Sequence, residues 1–113
     1  MNFRKLLKDE LLLERTTCEG RIYEEATGKE VHKCGGGTHM TEVIYTRVDI
    51  QHLTDKEKEY FWERRNCALV CGNFHTKKGH TTDFETWWNS YAEKYGDIAD
   101  YIWGAKKYLK VLN

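Results

Sequence analysis

At 113 residues, with 40% hydrophobic and 32% charged residues, the chain has material for one domain with a modest core. No window approaches the ~20 consecutive apolar residues that span a bilayer, and Met1 to Lys8 is too often interrupted by charge for a secretory signal, so a cytoplasmic setting without membrane contact is expected. Eighteen basic residues balance eighteen acidic ones, which weighs against a uniformly basic nucleic-acid binder; any such surface must be local.

In chain order, Phe3, Leu6, Leu7 and Leu11 fall at helical spacing, which predicts an amphipathic helix over 3–14. Residues 16–37 carry Gly20, Gly28 and Gly35-Gly36-Gly37 and read as loop, with one short strand at Arg21-Ile22-Tyr23. Val43, Ile44, Tyr45, Thr46 and Val48 predict a strand over 40–48. Thr54 with Glu57 forms a capping box, opening a helix that runs to about Arg64. Cys67 to Val70 fits a short buried strand, and Phe74 to Lys78 begins a helix or turn that stops near Gly79. Thr82-Asp83-Phe84-Glu85 opens a helix through Trp87, Trp88, Tyr91 and Tyr95, ended by Gly96. Ile98, Tyr101, Ile102, Ala105 and Leu109 give the last amphipathic helix.

Four cysteines, Cys18, Cys34, Cys67 and Cys71, read as thiols or metal ligands in a cytosolic chain, although no CxxC is present. Cys67 lies in an apolar run, where a free Cys is commonly a core residue. The densest motif is Asn66-Cys67-Ala68-Leu69-Val70-Cys71-Gly72-Asn73-Phe74-His75, followed by Gly79-His80. Upstream of it stands Thr38-His39-Met40-Thr41-Glu42-Val43-Ile44.

In the order and spacing of these pieces, from about Cys18 to Tyr95, the chain resembles the HNH endonuclease family, particularly the small forms common in bacteriophage genomes. The resemblance implies an α+β fold: a ββα-metal finger over about 18–82, flanked by helices at 3–14 and 83–110, in one domain spanning 1–113. It implies a metal-dependent DNA endonuclease or nickase that hydrolyses phosphodiesters in the cytoplasm, of the host cell if the chain is phage-encoded. One divalent ion (Mg, Mn, Ni or Zn) would be held by His75 and His80. His39, Glu42 and Asn66 would form the catalytic group, with Asn66 tethering the loop beside the general base. Such a site must activate a water and stabilise charge on the phosphate, and neutral imidazole suits both ligand and base. Arg47, Arg64, Arg65, Lys77 and Lys78 are the candidate DNA contacts.

The chain departs from the family in two places. Thr41-Glu42 stands where the family places its His-containing pair, and Thr is a poor base. His39 lies two residues upstream on the same strand face, about 6–7 Å away at ~3.3 Å per residue. Cys71-Gly72-Asn73-Phe74 also replaces the Cys-x-x-Cys of zinc-stapled members. A structural zinc would then draw on Cys18, Cys34 and Cys71 with Cys67 or His32 as fourth ligand; otherwise an aromatic core holds the finger and the thiols are incidental. His32 and His52, in polar surroundings, read as surface residues. His80 follows His75 by five residues, about 140° apart on a continuous helix, so the two share an ion only if Gly79 breaks it. The alternative function is a catalytically degenerate module on the same scaffold, binding DNA or a protein partner.

Overall fold

Asn2 starts helix α1 (Phe3–Glu14) by accepting the amide of Lys5, and Leu7 and Leu11, one turn apart, form its buried stripe. The computed structural model describes residues 2–77 and 81–112. Where a short strand was expected at Arg21-Ile22-Tyr23 the chain forms helix α2 (Glu19–Thr27), closed by Gly28 in the left-handed conformation at φ 73°. Helical geometry gathers Glu19, Gly20, Tyr23 and Glu24 onto one buried face, which a strand would have divided between two.

Strand β1 (Thr38–Glu42) runs antiparallel to β2 (Cys67–Cys71), with Thr38 opposite Cys71 and Glu42 opposite Cys67. The first strand is shorter than the 40–48 expected from its β-branched run. Asn66 is the physical reason. Its Oδ1 accepts the amides of Ile44 at 2.9 Å and Tyr45 at 2.8 Å, and its Nδ2 donates to the carbonyls of Tyr45 and Phe61. A fully buried side chain thus stands in for the next strand residue and turns the chain away.

The capping box at Thr54 and Glu57 is present, yet its helix, α4 (Asp55–Lys58), is a single turn, and a second box at Thr46 and Asp49 opens α3 (Arg47–Ile50). The expected extension to Arg64 does not form: the amides of Glu59 and Phe61 turn back to the carbonyls of Lys56 and Lys58, bonds to the third residue back that leave the α-helical pattern. Helix α5 (Gly72–Lys77) follows β2 without a loop. Helix α6 (Thr82–Tyr91), capped by Thr81, tightens into a 3-10 turn at Ala92–Tyr95, and α7 (Ile98–Leu112) completes the chain. None of the described helices is long and apolar enough to cross a membrane.

Every residue of β2 is buried. Leu7, Leu11, Met40, Cys67 and Leu69 pack together, with Trp62 at their edge. A larger cluster joins Ala68 and Val70 to Tyr23, Val43, Phe74, Phe84, Trp88 and Ile98, so the aromatic groups of the C-terminal helices pack against the strands as expected. A third joins Ile50, Leu53, Phe61 and Ala105, with Tyr60 and Tyr108 at its margin.

The edge of β2 that β1 does not cover is closed by side chains. Arg15 donates to the Cys67 carbonyl at 2.6 Å, and Glu19 accepts the Leu69 amide at 2.8 Å. Arg15 and Glu19 pair with each other at 2.8 Å, both almost wholly buried, and the Tyr95 hydroxyl donates to the second Glu19 oxygen. Arg15→Met should therefore destabilise the protein by about 3–5 kcal/mol, the cost of an uncompensated buried carboxylate. Urea unfolding measures this, and a loss below about 1 kcal/mol would mean that the edge tolerates hydration.

Candidate metal centres

Two groups of ligating side chains form around the junction of β2 and α5. The first comprises Cys18, His32, Cys34 and Cys71, whose ligand atoms all lie within 4.8 Å of one another. Cys18 sits at the N-cap of α2, His32 and Cys34 on the connection that leaves it, and Cys71 at the end of β2. His32 Nε2 is 3.0 Å from Cys71 Sγ, 3.4 Å from Cys34 Sγ and 3.8 Å from Cys18 Sγ. A tetrahedral zinc with three thiolates and one imidazole needs donor separations of roughly 3.5–3.8 Å. The four residues could hold a metal ion with only small side-chain adjustment, and the soft donor set suits zinc.

The surroundings fit anionic sulfur. The amide of Cys71 donates to Cys18 Sγ at 3.3 Å and that of Phe74 to Cys71 Sγ at 3.4 Å. Burial pushes the Cys71 thiol up, but the amides of Phe74 and Gly35, with His32 and Cys34, outweigh it and bring the thiol down to about 6. Burial and the neighbouring sulfurs push Cys34 the other way, to about 11. Zinc uptake at neutral pH thus displaces a proton from Cys34 and weakens as pH falls.

His32 is oriented by Glu24, which is buried to 1% exposure. One carboxylate oxygen of Glu24 meets both the His32 backbone amide, at 3.0 Å, and its ring Nδ1. That leaves Nε2 facing the sulfurs, the carboxylate–histidine arrangement that fixes a ligating imidazole. Burial lowers the His32 pKa, but Glu24 and Cys71 together more than offset this and the net shift is upward.

The glycine run brings the loop back to Cys71. Gly36 and Gly37 take positive φ, 77° and 79°, and a Cβ on Gly72 would stand 2.2 Å from the Gly36 carbonyl oxygen. The carbonyls of Gly35 and Gly37 accept the amides of Asn73 and Gly72, which ties the ligand loop to the first turn of α5.

The structure corrects the sulfur set. Cys67 sits four residues up the strand, about 13 Å from Cys71 at ~3.3 Å per residue, fully buried against Leu7, Leu11 and Leu69 with its thiol pushed upward by burial. His32, read as a surface residue but also offered as the alternative fourth ligand, completes the group. Its polar neighbours in sequence hid the only local signal, the His32-Lys33-Cys34 run beside the glycines.

The second group is His39 on β1 and His75 on α5. Their Nδ1 atoms are 2.9 Å apart and their rings nearly perpendicular. At that separation the two imidazoles face a single site, one from the strand and one from the helix. Thr41 shares the strand face of His39 by alternation, whereas Glu42 does not. Glu42 was expected beside His39 in the catalytic group; it points to the opposite face and pairs with Arg4 at 2.9 Å. Asn66 is the buried tether already described, not an exposed reactive group.

Of the candidate DNA contacts, Arg47 is exposed. Arg64 instead binds Glu14 and Glu10, and Arg65 binds Glu63 and the Asp97 carbonyl while covering Tyr101, so both hold the fold together. His80 and Lys78 lie outside the described residues, as does the Lys77 side chain. No protein-family profile, no curated protein and no solved structure matches the chain.

Glu24→Gln should lower zinc affinity by about 10–100-fold in competition with a chromophoric chelator. Cys67→Ala should leave the zinc content of the purified protein unchanged, and Cys71→Ala should remove it. Zinc loss in the Cys67 variant alone would refute the assignment of His32 as fourth ligand.

Proposed function

We propose that the chain is a metal-dependent DNA endonuclease or nickase built on a ββα-metal finger of HNH type, with a zinc centre as its structural staple. The meeting of His39 and His75 carries this reading: a strand imidazole and a helix imidazole converge at 2.9 Å on a surface site, although they lie far apart in sequence. The order of parts supports it, since β1, an Asn-tethered turn, β2 and α5 follow one another as the finger requires.

His75 would hold the divalent ion, which when bound polarises the phosphate and stabilises the charge on the leaving oxygen. His39 is the group in position to accept the proton of the attacking water, a role that suits an imidazole. Asn66 fixes the backbone after β1 and so the strand that carries His39. The Cys18, His32, Cys34 and Cys71 centre clamps α2, the glycine loop and the start of α5, which sets the height of His75 above the strand. Thr41, at the family's usual His position, favours the second reading: a module on the same scaffold without activity, binding DNA or a protein partner.

Supercoiled plasmid offered with Mg²⁺, Mn²⁺, Ni²⁺ or Zn²⁺ separates the two. The nuclease relaxes or linearises it; His75→Ala abolishes cleavage with the circular dichroism unchanged, and His39→Ala costs at least ~10²-fold. Thr41→Ala has little effect. No cleavage by the wild type with any ion, and a gain in Thr41→His, would establish the inactive module instead.

A further inference from the structure

One cleft lies apart from both centres. It encloses about 330 Å³ on the reverse face of β1, between α1, α3 and the turn after α4, and is lined by Arg4, Glu42, Arg47, Ile50, Lys58 and Trp62. Three cations against one carboxylate leave two positive charges in excess. The carboxylate is already engaged: Glu42 is 8% exposed in its side chain and pairs with Arg4, whose other nitrogen donates to the Met40 carbonyl at 2.6 Å. Arg47 and Lys58 have no acidic partner among the described residues, unlike Arg64 and Arg65. Beyond Arg4 and Trp62 the neighbouring surface turns acidic at Asp55 and Glu59, which confines the positive region to the Arg47 side.

We propose that this cleft seats a backbone phosphate of nucleic acid, with Arg47 and Lys58 as its anion contacts, Arg4 as a charge fixed in place by Glu42, and the apolar wall of Ile50 and Trp62 against the sugar. A phosphate suits two long cations around a shallow pocket, since such contacts need charge and reach rather than a shaped acceptor. The cleft lies on the face of β1 opposite His39, so the seat itself rests on the cleft alone, while nucleic acid as its occupant rests on the nuclease reading.

The test is the salt dependence of binding to a fluorescent DNA duplex, read by anisotropy with no added divalent ion, for wild type and Arg47→Ala/Lys58→Ala. One lost phosphate contact should flatten the plot of log affinity against log salt by about 0.9, so the double variant, which empties the single seat, should lose about one unit of slope and bind more weakly at every sequence tried. Lys106→Ala/Lys110→Ala, which removes equal charge from the exposed face of α7, is the control and should keep the wild-type slope. An unchanged slope in the cleft variant, an equal loss in the control, or no DNA binding by the wild type would overturn the seat. If the cleft variant binds like wild type while wild type still cuts plasmid, the seat is wrong and the nuclease stands. If the slope falls as expected but wild type never cuts, the seat stands and the nuclease does not. Orthophosphate competing as effectively as duplex at equal phosphate concentration would reduce the cleft to an adventitious ion site and overturn its assignment to nucleic acid.

Discussion

The outer edge of β2 is the constraint on which the rest of the molecule depends. A two-stranded sheet leaves both of its edges unpaired, and in β2 that edge is buried, where an unmatched amide or carbonyl costs roughly 1–3 kcal/mol. Three side chains from one short stretch close it in sequence: Arg15 at the Cys67 carbonyl, Glu19 at the Leu69 amide and Cys18 at the Cys71 amide. The turn between α1 and α2 thereby acts as a third strand made of side chains. Two of its members neutralise each other and the third belongs to the group that could hold a metal ion, so closing the strand edge and placing the sulfur are one structural event.

From that edge the two centres follow. Cys71 ends β2 and begins the approach to α5, so fixing its sulfur fixes the helix start. The Gly72 amide and the Gly37 carbonyl hold the ligand loop against the same turn, and His75 lies one turn further on. The four-residue thiol and imidazole group is partly enclosed and oriented by Glu24. The two-histidine group is open to solvent. The two groups thus differ in environment as well as in residue type.

Net neutrality conceals an uneven use of charge. Arg15, Arg64 and Arg65 are all engaged with carboxylates or aromatic rings of the fold, and Arg4 with Glu42. These pairs consume cations that, from the sequence, counted equally with those left exposed. Arg47 and Lys58 are among the described cations left without an acidic partner, so a chain with no excess charge still presents a local positive cleft.

The sequence by itself determined the parts governed by local rules. α1, the capping box at Thr54 and Glu57 and the last two helices follow from spacing and caps within a few residues, and the buried strand over Cys67–Val70 follows from an uninterrupted apolar run. Tertiary structure decided everything that depends on which distant group satisfies a buried polar atom. Arg21-Ile22-Tyr23 became helix, the geometry that puts Glu19, Gly20, Tyr23 and Glu24 on one buried face. β1 stopped at Glu42 because the Asn66 side chain claimed the amides of Ile44 and Tyr45, and α4 after one turn as the amides of Glu59 and Phe61 turned back to the third residue before them. His32 rather than Cys67 completed the metal set because residues four apart on a strand are held about 13 Å from each other, while a glycine loop can fold a distant imidazole onto the sulfurs. Spacing along the chain records periodicity; it does not record which partner a buried donor will find, and that choice set both centres.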